Sequence, residues 1–129
     1  MPLAPRLLHA AGRLAAVAAL ALLPVMAAAA ELVMVDREGC AYCRAWKQQI
    51  GPAYPHTDLG QFAPLRLHNV RDEAIADVTL ARPVTFTPTF LLVQDGAELG
   101  RIEGYPGEDF FWGLLENLLR EKTDFVGSS

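Results

Sequence analysis

Cys40 and Cys43 are the only two cysteines of the 129-residue chain, set in Glu38-Gly39-Cys40-Ala41-Tyr42-Cys43-Arg44. The apolar run Leu32-Val33-Met34-Val35 lies before the pair, and a helix-patterned stretch, Arg44 to Ile50, lies after it. The dithiol thus falls where a strand gives way to a helix N-terminus. Unpaired backbone N–H groups and the helix dipole favour an anion there. A thiol at such a place ionises readily, and the thiolate is the form that attacks disulfides. The expected chemistry is thiol–disulfide exchange, with Cys40 as nucleophile and Cys43, one turn on and more buried, as the thiol that resolves the mixed disulfide. The redox-active Cys40–Cys43 disulfide would be the working group, with no cofactor and no metal.

A structural staple explains the pair less well. Closing so short a loop is worth only about 2 kcal/mol in the loop-entropy picture, against roughly 3 for fifteen residues. A copper(I)-binding metallochaperone module is the rival of another class, because soft metals prefer thiolate ligands. The chain offers no second cysteine pair and no histidine at ligand spacing beside the motif. A structural zinc site would want four ligands. His68 falls within a predicted strand and His56 in a loop, and both are read as structural or exposed.

The first thirty residues read differently from the rest. Arg6, His9 and Arg13 make a positive start, Leu14 to Leu23 contains only Ala, Val and Leu, Pro24 breaks the run, and Ala28-Ala29-Ala30 offers small residues. This order predicts a secretory signal peptide over 1–30, cleaved after Ala30, and hence a periplasmic protein. Residues 1–30 carry two arginines and no acid, so the remaining 99 residues hold nine Lys/Arg against fifteen Asp/Glu, a net charge of −6. That balance, without a basic stripe, argues against nucleic acid as a partner. A domain of 99 residues can build one small core. Its apolar faces are all needed for that core, which predicts a monomer.

Elements that could position the dithiol follow in order. Glu31 to Asp36 reads as a buried strand, and Ala41 to Ile50 as a helix with Cys43, Trp46 and Ile50 on one face. Gly51-Pro52 ends it. Tyr54 to Pro64 reads mostly as loop with at most a helical turn. Leu65 to Val70 reads as a strand, and Asp72 as the cap of a short helix reaching Asp77 or Leu80. Thr89 to Gln94 and Leu99 to Glu103 read as strands joined at Asp95-Gly96, a hairpin turn signal. Glu108 to Lys122 is an amphipathic helix with Phe111, Leu114, Leu115, Leu118 and Leu119 on its apolar face. Residues 123–129 read as a flexible tail. The expected class is α/β, a mixed four-stranded sheet with flanking helices in the order β-α-β-α-β-β-α, over 31–122.

This pattern resembles the thioredoxin superfamily. Three landmarks carry the resemblance: Cys40-Ala41-Tyr42-Cys43 after the first strand, Thr87-Pro88 before the third, and Gly104-Tyr105 before the last helix. A C-x-x-C beside a βαβ pattern is a strong signal of this kind. Within it, the stretch from Glu38 to Trp46 is most similar to the small exported thioredoxins of bacterial sulfur-oxidation systems, the SoxS type. The resemblance implies a cis Thr87–Pro88 bond beside the dithiol. It also implies a partner-binding surface that takes in Thr87, Pro88 and Gly104 next to Ala41 and Tyr42. It implies a protein substrate with a disulfide or modified cysteine, such as a sulfur-carrier protein, and a membrane electron donor of the DsbD or CcdA kind. Three departures from ordinary thioredoxins stand out. Gly39 replaces the tryptophan before the first cysteine, Ala41-Tyr42 replaces Gly-Pro, and Met34 stands where they bury an aspartate. The spacing does not fix the direction of electron flow, so an oxidase or isomerase of the same fold stays open.

Overall fold

Two apolar runs, Leu32-Val33-Met34-Val35 and Phe90-Leu91-Leu92-Val93, form the centre of the sheet, and both are fully or almost fully buried. The computed structural model describes residues 1–5, 18–19, 21–24 and 29–127. Most of the leader expected at 1–30 lies outside the described residues. Strands β1 (Glu31–Asp36), β2 (Leu65–Asn69), β3 (Thr89–Gln94) and β4 (Ala97–Glu103) make one sheet in the order β2-β1-β3-β4. β1 runs parallel to β2 and antiparallel to β3, and β3 runs antiparallel to β4. This is the mixed α/β sheet expected from the sequence.

Successive strand residues point to opposite faces, and both faces are covered. Leu32, Met34, Phe90 and Leu92 join the main core with helices α1 (Ala41–Gln49) and α3 (Glu108–Lys122). Val33, Val35, Leu91 and Val93 form a second, smaller core on the other face. Burial on both sides is why these strands read as continuous apolar runs rather than as alternation. Trp46 is fully buried at the centre of the main core, with its ring 5.2 Å from that of Phe90 and 5.6 Å from that of Phe111. The β3–β4 hairpin turns at Asp95 (φ 53°) and Gly96 (φ 71°). Two successive positive φ values match the twist of antiparallel strands.

The element order differs from the expected one in its second helix. The helix predicted from Asp72 is absent, and the chain from Val70 to Val84 is irregular. Thr79 instead bridges to Ala97, donating its N–H to the Gly96 carbonyl at 2.7 Å and accepting from Glu98 N–H at 3.0 Å. Those bonds engage backbone groups that a helix would use internally. Ile75, Val78, Leu80 and Val84 cover the second core from this irregular path. A short helix α2 (Asp58–Phe62) forms earlier, where mostly loop was expected. Thr57 caps it, its Oγ1 accepting from Gly60 N–H at 3.0 Å. Phe125, beyond α3, packs its ring edge-on to Phe62 at 5.1 Å.

Candidate functional site

Strand β1 ends at Asp36 and the chain turns through Arg37-Glu38-Gly39 into α1. Gly39 holds φ +79°, a conformation that glycine adopts without the steric cost of a Cβ. Cys40 follows as the N-cap in extended backbone. An ion pair between Asp36 and Lys47 ties the strand end to the last turn of the helix. Strand and turn thus deliver one sulfur to the start of α1.

Cys40 and Cys43 are joined as a disulfide, with their Cα atoms 5.3 Å apart. The Cys43 backbone N–H donates to Cys40 Sγ at 3.2 Å, the place a serine or aspartate oxygen takes in an ordinary cap. A backbone N–H aimed at a sulfur from a helix start favours the charged form of that sulfur. Both cysteines pack in the main core, but Cys40 is the less buried residue, 7 % exposed and bordering a surface cavity, against 1 % for Cys43. Cys40 Sγ lies 3.4 Å from the Thr87 carbonyl oxygen, an acceptor for the Cys40 thiol in its protonated form.

The structure brings the remaining expected site residues to the same end of the sheet, each in a different way. Thr87–Pro88 is a cis bond. Thr89 Oγ1 donates to the Phe86 carbonyl at 2.8 Å, and Gly104 N–H donates to the Pro88 carbonyl at 2.7 Å. These bonds join the Phe86–Thr89 segment to the end of β4. Ala41 is exposed and Tyr42, 66 % exposed, stands out beside the disulfide. Tyr42, Gly104 and Tyr105 line one groove of about 780 Å³ that continues along Ala45, Gln49 and Leu114. Leu114, expected on the apolar face of α3, therefore faces outward into this groove.

Three residues not singled out from the sequence support the site. Gln49 accepts a hydrogen bond from the Tyr105 hydroxyl at 2.6 Å, which ties the end of α1 to the loop after Gly104. Burial, and then the charge of Glu108, push the Tyr105 hydroxyl pKa up, so it stays a donor. Glu98 and Arg101 form an ion pair whose side chains are 1 % and 4 % exposed. Arg101 donates to the Arg82 carbonyl at 2.7 Å and the Pro83 carbonyl at 3.2 Å, and Glu98 accepts from Ala81 N–H at 2.6 Å. Together they hold the connector that leads to Thr87. Burial works to raise the Glu98 carboxyl pKa, but hydrogen bonds from Arg101 and Ala81, with the charges of Arg101 and Arg82, outweigh it and hold the pKa below the usual range. Their common signal in the sequence, a charge pair at i and i+3, is one that strand alternation would place on opposite faces.

Two polar atoms near the dithiol are buried without a partner, Thr87 Oγ1 and Trp46 Nε1. Met34, at the position of the acid in ordinary thioredoxins, is fully buried among apolar neighbours. Thr89 is fully buried beside the cis bond. No group of three or more His, Cys, Asp or Glu that could hold a metal ion occurs among them.

Neither a protein-family model nor a curated protein matches this sequence. Among solved structures, the chain is similar to the reduced form of the periplasmic thioredoxin SoxS from Paracoccus pantotrophus. The two share 49 % sequence identity, the match covers 71 % of this chain and 97 % of that one, and the TM-score is 0.69. With that identity over nearly the whole of the relative, and a disulfide-linked Cys40–Cys43 pair at a helix start, this chain is a thiol–disulfide oxidoreductase and belongs to the SoxS-type thioredoxins.

Proposed function

We propose that the protein acts in the periplasm as a reductase of partner-protein cysteines, with Cys40 as nucleophile and Cys43 as resolving thiol. The observation that carries this reading is the Cys43 N–H held 3.2 Å from Cys40 Sγ at the helix start. The Cys40 thiolate attacks one sulfur of a partner disulfide. The partner's S–S bond breaks, its second sulfur leaves as a thiolate that takes a proton from water, and a mixed disulfide forms. Cys43 then loses its proton and attacks Cys40 Sγ. The partner's remaining sulfur leaves with the electron pair, and two electrons have passed from the dithiol to the partner.

Ala41, Tyr42, Thr87, Pro88 and Gly104 form the surface on which the partner docks. Tyr42 supplies exposed aromatic area, and the Thr87 backbone lies within reach of a strand laid beside the sulfur. Location in the periplasm is supported by the leader-like residues 1–30 and by the relative described as a periplasmic thioredoxin. Residues 31–122 are the working domain and 123–129 its tail. The substrate is a disulfide or modified cysteine of a protein such as a sulfur-oxidation carrier, and the protein works as a monomer. An exported reductase needs electrons from across the membrane, since reducing pools stay in the cytosol. A donor of the DsbD or CcdA kind would supply them. The Cys43→Ser variant, unable to resolve, should trap the partner as a mixed disulfide that reductant releases. A redox titration sets the direction: a potential near about −270 mV supports a reductase and one near about −120 mV an oxidase.

A further inference from the structure

The two sides of the dithiol differ in charge. On the Cys40 side lies a cavity of about 380 Å³ lined by Asp36, Arg37, Glu38, Cys40, Arg44 and Lys47, among others. Its two acids are already matched. Asp36 pairs with Lys47, and Glu38 pairs with Arg71 at 2.7 Å. The guanidinium groups of Arg37 and Arg44 make no ion pair among the described residues, on a chain whose net charge is −4. The groove on the Tyr42 side contains Glu103 and no cation.

We propose that the cavity beside Cys40 is an anion subsite, in which Arg37 and Arg44 receive an acidic side chain that lies next to the reactive sulfur of the substrate protein. Planar guanidinium groups suit carboxylates because they offer paired donors in a fixed fork. Two of them beside the attacking sulfur would steer an acidic substrate and fix its register, so that the scissile bond meets Cys40. The proposal rests on the assignment of Cys40 as the attacking sulfur.

Two measurements test it. Reduced Cys43→Ser protein is alkylated in parallel with anionic iodoacetate and neutral iodoacetamide. Both reagents meet the same thiolate, so the ratio of their rates reports the local potential and not the thiol pKa. At low salt the ratio should stand about fivefold above that of the same protein carrying Arg37→Gln and Arg44→Gln, and the gap should close as salt rises. In the second arm, the reduced wild-type protein receives two disulfide-linked peptides that differ only in Glu or Gln beside the cysteine. The Glu peptide should be reduced faster, and the Arg37→Gln/Arg44→Gln protein should treat the two alike. Equal alkylation ratios with and without the arginines, or equal peptide rates in the wild type, overturn the subsite. Failure to reduce either peptide, with the alkylation ratio intact, overturns the exchange role of Cys40 and leaves the anion pocket supported.

Discussion

Glu98 and Arg101 lie on the same face of β4, with side chains almost completely out of water, although they stand three positions apart along a strand. Glu98 stands opposite Val93 and Arg101 opposite Leu91 on β3, and a bulge near Leu92 and Val93 takes up the odd residue between them. Cross-strand partners share a face, so both charged groups join the side of the second core. From there they hold the carbonyls of Arg82 and Pro83 and the N–H of Ala81. Removing Arg101 takes away the cation bonded to Glu98 and leaves that buried carboxylate with the Ala81 N–H alone as its hydrogen-bond donor. Arg101→Met should therefore cost about 3 kcal/mol of stability in urea unfolding. Because the connector leads to Thr87, the surviving folded protein should also reduce disulfides more slowly than wild type.

Acid should weaken the fold partly through the same pair. The Glu98 carboxyl has its pKa held below the usual range in the folded protein. Its stabilising effect is fully present above the unfolded pKa of about 4.3 and is lost as pH falls from there toward the lower folded value. Wild type and Glu98→Gln compared by urea midpoint from neutral pH downward should converge below about pH 4.3. A constant gap across that range would contradict this assignment.

Two glycines on helices should respond in opposite ways to alanine. A Cβ at Gly60 would lie 1.8 Å from the Tyr54 carbonyl oxygen, a backbone atom that cannot step aside. Gly60→Ala should cost about 3 kcal/mol through displacement of α2. Gly113, exposed in the middle of α3, has nothing within 4 Å of such a Cβ. Gly113→Ala should add about 0.5–1 kcal/mol, chiefly by restricting the unfolded chain. Thermal unfolding of the two variants measures both effects.

The parts of this fold that were legible in the sequence are those fixed by local pattern. The apolar run of β1, the dithiol after Gly39, the Asp95-Gly96 turn and the long helix α3 each follow from residues close together in the chain. The cis Thr87–Pro88 bond was expected from the family likeness, not from local spacing. The parts not legible depend on partners distant in sequence. Asp72 suited a helix cap, but Thr79 gains its backbone bonds from the hairpin at Gly96 and Glu98. The Glu98–Arg101 pair depends on a bulge that no single residue announces. Leu114 fits the apolar stripe of α3, yet the groove beside Tyr42 leaves it half exposed.

The asymmetry of the two sulfurs should appear in single-cysteine variants. Cys40→Ser should abolish disulfide reduction, because the buried Cys43 cannot reach a protein substrate. Cys43→Ser should keep the first step and accumulate mixed disulfide, visible as a reductant-sensitive shift on denaturing gels. Full dithiol turnover by Cys43→Ser would contradict these roles.

The pKa of Cys40 in the reduced protein, followed by ultraviolet thiolate absorbance and by the pH dependence of alkylation, tests the central claim most directly. A sulfur capping α1 and receiving the Cys43 N–H should ionise well below the free-cysteine value of about 8.5. Cys40 should also be alkylated before Cys43. A Cys40 pKa at or above about 8.5, or faster alkylation of Cys43, would contradict the account.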